Sequence, residues 1–107
     1  MVRISIMYPN IKGAKFDVDY YVKTHMPMSI NFMKGHPGYK GVSVERGSVG
    51  VAPNSEPAFI AMTHYLFRSI EDFWDACTPH SETLQNDLSK CTAIASVIQI
   101  NEVLISG

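Results

Sequence analysis

Four stretches of the chain have strand-like patterns of apolar and polar residues, with clear alternation in the first two, and they predict four β-strands. In the first stretch, Val2, Ile4 and Ile6 fall on one face, and polar or flexible side chains fall between them. The third stretch is apolar on both faces, which is typical of a strand that is covered on both sides. The predicted strands span residues 2–8, 39–48, 58–67 and 95–105.

Two helical regions are predicted between these strands. The first begins near Asp17, which is placed to cap a helix, and it contains Pro27. Because proline lacks a backbone donor and clashes with the preceding turn, we expect this helix to kink or restart near His25 and Met26. The second begins after Ser69 with apolar residues at positions 70, 73, 74 and 77, and Pro79 starts a further segment.

The order βαββαβ is that of the split βαβ arrangement, so the sequence predicts an α+β, ferredoxin-like fold with a four-stranded antiparallel sheet. A chain of 107 residues forms one domain, residues 1–107. If the helices cover one face of the sheet, the other face stays exposed to solvent. The third strand is apolar on both faces, so this second face also needs a cover. We therefore expect a homodimer in which a second copy covers the sheet face.

Composition and charge exclude several classes of partner. The chain is 46% hydrophobic and 18% charged, with a net charge of −1, which offers no basic surface for nucleic acid or an anionic membrane. No apolar run reaches the length of a membrane span, and the chain opens on a strand pattern, so a cytoplasmic location is expected. The two cysteines, Cys77 and Cys91, are interpreted as reduced core residues.

The first helix carries the strongest candidate for chemistry. Tyr21 and His25 are four residues apart, so a phenol and an imidazole share one helical face. Two interpretations of His25 stay open, since its ring could act on a ligand or could cap the backbone that Pro27 frees.

Two further histidines could join that site. His64 lies within an apolar strand face and needs a hydrogen-bond partner there. If that face meets the helices, His64 and His25 line one cavity. His80 follows Pro79 at a helix start, where the local field favours a neutral ring that can act as a general base.

The sequence offers no site for a metal or an organic cofactor. The three histidines come from separate elements without the short spacing of metal ligands. No nucleophile elbow, phosphate-binding glycine loop or dinucleotide fingerprint is present. We therefore expect neither a metal nor a bound nucleotide cofactor.

The segment FDVDYYVKTHMP, residues 16–27, resembles the signature of the EthD-like family of small dimeric α/β-barrel proteins. Other segments match in the same order, namely Tyr8-Pro9-Asn10, the strand end THYLF, Pro79-His80 and the closing VIQI. The resemblance covers nearly the whole chain, and it implies a dimeric α/β barrel.

Two functions follow from this resemblance. The wider group includes polyketide cyclases, dehydratases and monooxygenases, which implies a small cofactor-free enzyme for a small aromatic or carbonyl substrate. In that case His25 and His64 exchange a proton, Tyr8 or Tyr21 hydrogen-bonds the developing oxyanion, and Trp74 and His80 contact the ligand. The alternative is a non-enzymatic ligand-binding or accessory protein of a degradation pathway.

Overall fold

The computed structural model describes residues 1–107, and the elements follow each other in the predicted order. All four strands and both helical regions are present, and the last strand is shorter than predicted. The elements are β1 (Val2–Pro9), α1 (Val18–Tyr20), a π-helical turn (Tyr21–His25), α2 (Met26–Met33), β2 (Tyr39–Arg46), β3 (Phe59–Phe67), α3 (Ile70–Cys77), a 3-10 turn (Thr78–His80), α4 (Ser81–Leu88) and β4 (Val97–Glu102).

The strands form one antiparallel sheet in the order β2-β3-β1-β4. Ser5 of β1 lies opposite His64 of β3 and Gln99 of β4, and Ser43 of β2 lies opposite His64. This topology confirms the predicted α+β, ferredoxin-like fold.

Side chains bound the helices as the sequence predicts. The Asp17 carboxylate accepts a hydrogen bond from the Tyr20 backbone N–H, and the Ser69 hydroxyl accepts one from that of Asp72. Each cap satisfies a donor that the first helical turn leaves free. None of the helices has the length and apolar character needed to span a lipid bilayer.

The helices pack on one face of the sheet, and the core lies between these two layers. Alternate residues of β3 from Ala61 to Phe67 are buried, and they point to the helices. Ten buried side chains form this core: Ile4, Tyr8, Tyr21, Met26, Met33, Ala61, Tyr65, Phe67, Ala76 and Cys91.

The opposite face of the sheet is not covered by any helix of the chain. It carries the half-buried residues Ile60, Met62, His64 and Leu66 of β3, next to Met7 of β1. A polar row, defined as Ser43, His64, Ser5 and Gln99, crosses this open face from one sheet edge to the other.

Candidate functional site

A π-helical turn positions the two aromatic side chains of the first helical region. Across this turn the backbone N–H of Met26 donates to the carbonyl of Tyr21, five residues earlier. Pro27 follows at the start of α2, so the predicted restart at His25 and Met26 takes the form of a widened turn rather than a break. Within it the rings of Tyr21 and His25 stack, with centroids 5.4 Å apart and planes inclined by 19°.

Neighbouring aromatic rings hold this pair in place. Tyr8 of β1 meets Tyr21 edge-on with ring centroids 5.7 Å apart, and Phe16 contacts both, at 5.0 Å and 5.1 Å. The Tyr21 hydroxyl is also hydrogen-bonded to the Thr63 hydroxyl of β3. The helical turn is thereby fixed against the sheet, and the position of His25 is fixed with it.

His25 is paired with a carboxylate from the second helical region. Its Nδ1 lies 3.0 Å from Oδ2 of Asp87 in α4, and the His25 residue is only 6% exposed. Asp87 also accepts a hydrogen bond of 2.6 Å from the Tyr20 hydroxyl, and Nζ of Lys90 lies 3.9 Å from Oδ1 of Asp87. The Tyr20 hydrogen bond, with His25 and Lys90, lowers the pKa of the Asp87 carboxyl, which therefore stays ionised at neutral pH.

The pairing with Asp87 determines which ring nitrogen of His25 is free to contact a ligand. An ionised carboxylate accepts from Nδ1–H, so in the neutral ring Nε2 carries the lone pair. Nε2 makes no hydrogen bond within the protein, and no fully buried polar side-chain atom lacks a partner. Nε2 of His25 is therefore open to the adjacent cavity, which this residue lines.

The cavity has a volume of about 190 Å³ and lies between the sheet and both helical regions. Eleven of its sixteen lining residues are hydrophobic, and no lysine, arginine, aspartate or glutamate lines it. Its polar groups include His25, three tyrosines and Ser29. The cavity therefore suits an apolar ligand with few polar atoms.

The three cavity tyrosines are Tyr8, Tyr21 and Tyr65. Burial raises the pKa of each phenol, and for Tyr8 the neighbouring Tyr21 phenol raises it further. All three remain protonated at neutral pH and can donate hydrogen bonds. The Tyr65 hydroxyl is already paired with Ser29 and that of Tyr21 with Thr63, whereas Tyr8 is tied to neither a serine nor a threonine.

His64 and His25 were expected to line one cavity, but they lie on opposite faces of the sheet. His64 lies on the open face, where Nδ1 is 2.8 Å from the Ser5 hydroxyl and Nε2 is 3.2 Å from the Glu45 carboxylate. Because side chains alternate along a strand, Thr63 and Tyr65 take the positions that face the helices, and His64 must point the other way. This histidine does not reach the cavity.

Trp74 and His80, the other expected ligand contacts, also lie outside the cavity wall. Trp74 is 54% exposed at the edge of the apolar stripe of α3, and its neighbour Phe73 lines the cavity instead. The His80 ring stacks on Phe32, with centroids 3.9 Å apart and parallel planes. Trp74 was expected to form part of the cavity wall and His80 to approach the cavity from the second helical region, but neither side chain lines it.

No sequence pattern indicated the residue that pairs with His25. Asp87 lies 62 residues along the chain, within an ordinary polar helical stretch. Ser29 lies within the first helical region, and its pairing with Tyr65 depends on packing against β3. No three histidine, cysteine, aspartate or glutamate side chains converge in the way that metal ligands would.

The fold and most of the chain length are shared with several solved structures. An EthD-like protein from Ralstonia eutropha JMP134 is 35% identical, with a TM-score of 0.92 over 99% of this chain and 94% of that one. An ethyl tert-butyl ether d (EthD) family protein from Bacillus halodurans C-125 is 23% identical, with a TM-score of 0.69 over 97% and 99% of the two chains.

A more distant likeness extends to enzymes of the same fold. SnoaB from Streptomyces nogalater, a cofactor-independent oxygenase, is 8% identical with a TM-score of 0.64, over 98% of this chain and 93% of that one. An identity this low shows a common fold and no more. No protein-family model matches the chain, and no curated protein matches it.

Proposed function

This chain belongs to the EthD-like family, and we propose that it is a small enzyme that transfers a proton to and from a small aromatic or carbonyl substrate without a cofactor. One observation carries the proposal. A buried imidazole, His25, is held at Nδ1 by the Asp87 carboxylate and is left open at Nε2 beside an apolar cavity. This is the arrangement that a general base requires.

The step proposed is removal of a proton from carbon next to a carbonyl. Nε2 of His25 takes the proton, the C–H electron pair forms a carbon–carbon double bond, and the carbonyl electrons move to oxygen to give an enolate. Asp87 stabilises the imidazolium that forms, and the Tyr8 hydroxyl donates to the enolate oxygen. The proton then returns from Nε2 to carbon, which restores the ketone, or it is donated to a β-hydroxyl group of the substrate. In the second case the enolate oxygen re-forms the carbonyl, its electrons form a double bond between the α and β carbons, and the hydroxyl leaves as water, which is a dehydratase step.

The fold is compatible with chemistry of this kind. SnoaB is a cofactor-independent oxygenase with the same fold. Proton abstraction needs a base, an orienting carboxylate and a hydrogen-bond donor, and His25, Asp87 and Tyr8 supply all three in this proposal.

The proposal is tested by hydrogen–deuterium exchange at the carbons next to the carbonyl of cyclohexanone, followed by NMR in D₂O. Wild-type protein should accelerate the exchange, and His25→Gln should lower the enzymatic rate by about 100-fold or more, as is typical for loss of a general base. His36→Gln is the matched control, because His36 is also paired with an aspartate, Asp75, but lies away from the cavity. A folded His25→Gln protein with the wild-type rate would show that the assignment is wrong.

A ligand-binding or accessory role is the second candidate. Two of the cavity phenols, Tyr21 and Tyr65, already have hydroxyl partners in the protein and need no substrate to satisfy them. If this role is correct, wild-type protein binds a small ligand and catalyses no exchange, and His25→Gln changes neither property.

We also propose that the protein forms a homodimer through the open face of the sheet. Met7, Met62 and Leu66 place apolar side chains there, beside the polar row, and no helix of the chain covers them. A second copy would bury these side chains and leave the cavity on the far side of each sheet.

A further inference from the structure

We infer that the cavity selects a neutral molecule with a single ring and one oxygen, of the size of a six-membered cyclic ketone, its enol or a phenol. This inference rests on the proposed function and narrows its substrate class. The charge of the cavity wall, its size and the position of one hydroxyl support it.

The charge of the wall excludes an anionic ligand. No lysine or arginine lines the cavity, and the nearest fixed charge behind His25 is the negative carboxylate of Asp87. Lys90 approaches Asp87 from the solvent side, since its side chain is 67% exposed. A carboxylate or phosphate would lose its water shell and gain no lysine or arginine partner, so neutral donors alone would face its full charge, which is costly in an apolar site.

A cationic ligand is excluded by a similar argument. The Asp87 carboxylate is already used by the Tyr20 hydroxyl and His25, and no other carboxylate lines the cavity. A buried ammonium group would therefore stay unpaired. Only neutral molecules avoid both penalties.

The size of the cavity limits the ligand to one ring. A dry cavity of about 150 Å³ admits benzene, whereas pockets for drug-sized ligands have about 300–1,000 Å³. At about 190 Å³, this cavity holds one six-membered ring with one or two further atoms. Two of its aromatic walls are fixed, because Tyr21 is bonded to Thr63 and Tyr65 to Ser29, so the cavity cannot widen there without breaking buried hydrogen bonds.

Among the three cavity tyrosines, Tyr8 has the hydroxyl that can recognise the oxygen of such a ligand, and Ser81, Gln85 and Ser96 are further polar residues of the wall. Tyr8 lines the cavity, and it is the cavity tyrosine that no serine or threonine holds. Burial raises its pKa, so it donates rather than ionises. A carbonyl or enol oxygen is the acceptor that fits this donor.

The inference is tested by NMR titration of the wild-type and Tyr8→Phe proteins with phenol, benzene, benzoate and 2-naphthol. Phenol should bind wild-type protein about fivefold to tenfold more tightly than benzene, because of one hydrogen bond. Benzoate, with its charge, and 2-naphthol, with its second ring, should each bind at least about tenfold more weakly than phenol. Tyr8→Phe should remove the preference for phenol and leave benzene affinity within about twofold.

Each opposing result overturns a stated part of the inference. Benzoate affinity equal to that of phenol contradicts the neutral class, and tighter binding of 2-naphthol contradicts the single ring. A loss of benzene affinity in Tyr8→Phe as large as that of phenol contradicts the role of its hydroxyl. Absence of saturable binding for all four probes contradicts the whole inference.

The same titrations with His25→Gln separate this inference from the proposed function. Phenol binding that persists in this variant, together with the absence of exchange on any ketone by wild-type protein, would uphold the ligand class and refute proton transfer. Exchange that depends on His25 but acts on a charged or two-ring ketone would uphold proton transfer and refute the ligand class.

Discussion

The two faces of the sheet each carry a histidine paired with a carboxylate, and the two pairs differ in what they leave free. On the helix side, Asp87 holds Nδ1 of His25 and Nε2 is open to a cavity. On the open side, Ser5 and Glu45 occupy both ring nitrogens of His64. A histidine whose two nitrogens both have partners in the protein leaves neither free for a ligand, whereas one with a free nitrogen beside a cavity can exchange a proton with a ligand.

The carboxylates differ as well. The Asp87 side chain is 13% exposed and has further partners in Tyr20 and Lys90, whereas that of Glu45 is 59% exposed. Interactions of charges weaken as water surrounds them, so Asp87 constrains its histidine more strongly than Glu45 does. The comparison therefore shows that cover by the helices, rather than the type of residue, distinguishes the two sites.

The largest expected difference between the faces is in stability. Tyr65→Ala should lower the free energy of unfolding by about 3–5 kcal/mol, because a fully buried aromatic side chain is removed from the helix-side core. Leu66→Ala, one residue along on the open face, should cost less than half as much in dilute protein. Urea unfolding measures both, and equal costs at low concentration would contradict the assignment of the two faces.

The homodimer is tested on the open face. Met62→Lys should weaken self-association by about 100-fold or more, because a charge would be buried between two sheets. Native mass spectrometry and sedimentation measure the subunit number. Val22→Lys, on the helix layer where Val22 is 49% exposed, is the matched control and should leave it unchanged. A dimer that survives Met62→Lys would place the interface elsewhere.

Replacing the carboxylate beside each histidine tests which of the two histidines takes part in catalysis. Asp87→Asn should lower kcat for ketone exchange roughly 10- to 100-fold with little change in KM, since the amide no longer stabilises the imidazolium of His25. Asp87→Glu, which keeps the charge, should recover part of the rate, as a purely structural role would not predict. Glu45→Gln is the control, and a loss of rate in this variant would mean that the His64 side contributes to catalysis.

Alkaline pH should lower the free energy of unfolding through the tyrosines buried on the helix side of the sheet. The pKa values of Tyr8, Tyr21 and Tyr65 are raised by burial, so the folded state keeps these protons while the unfolded state loses them above about pH 10. Their contribution to stability is complete below that pH and is lost as the pH rises towards the folded values, by about 1.4 kcal/mol per pH unit for each tyrosine.

Denaturant unfolding between neutral pH and pH values above about 10 measures this slope. Tyr65→Phe should reduce the slope of unfolding free energy against pH by the contribution of one tyrosine. Phe67→Leu is the control, because it alters a fully buried ring of β3 that carries no titrating group, so it should lower stability at every pH and leave the slope unchanged. Equal slopes in wild-type and Tyr65→Phe proteins would contradict the burial argument.

Most of the fold could be predicted because its signals are local. Short runs of strand-forming residues indicated the strands, Asp17 and Ser69 indicated helix starts, and Pro27 indicated the position of the widened turn. Each of these signals acts over a few residues, through backbone hydrogen bonds and sterics. Within the candidate site, only Tyr21 and His25 share this property, since they are neighbours on one helical face.

The sequence by itself therefore determined the order of elements, the family resemblance and the pair Tyr21 and His25. Only the tertiary structure decided which of two apolar faces of β3 the helices cover, and this choice separated His64 from the cavity. It also brought Asp87 to His25 across 62 residues of chain. Such a contact depends on how helices pack on a sheet, and the residues next to Asp87 in the chain carry no information about that packing.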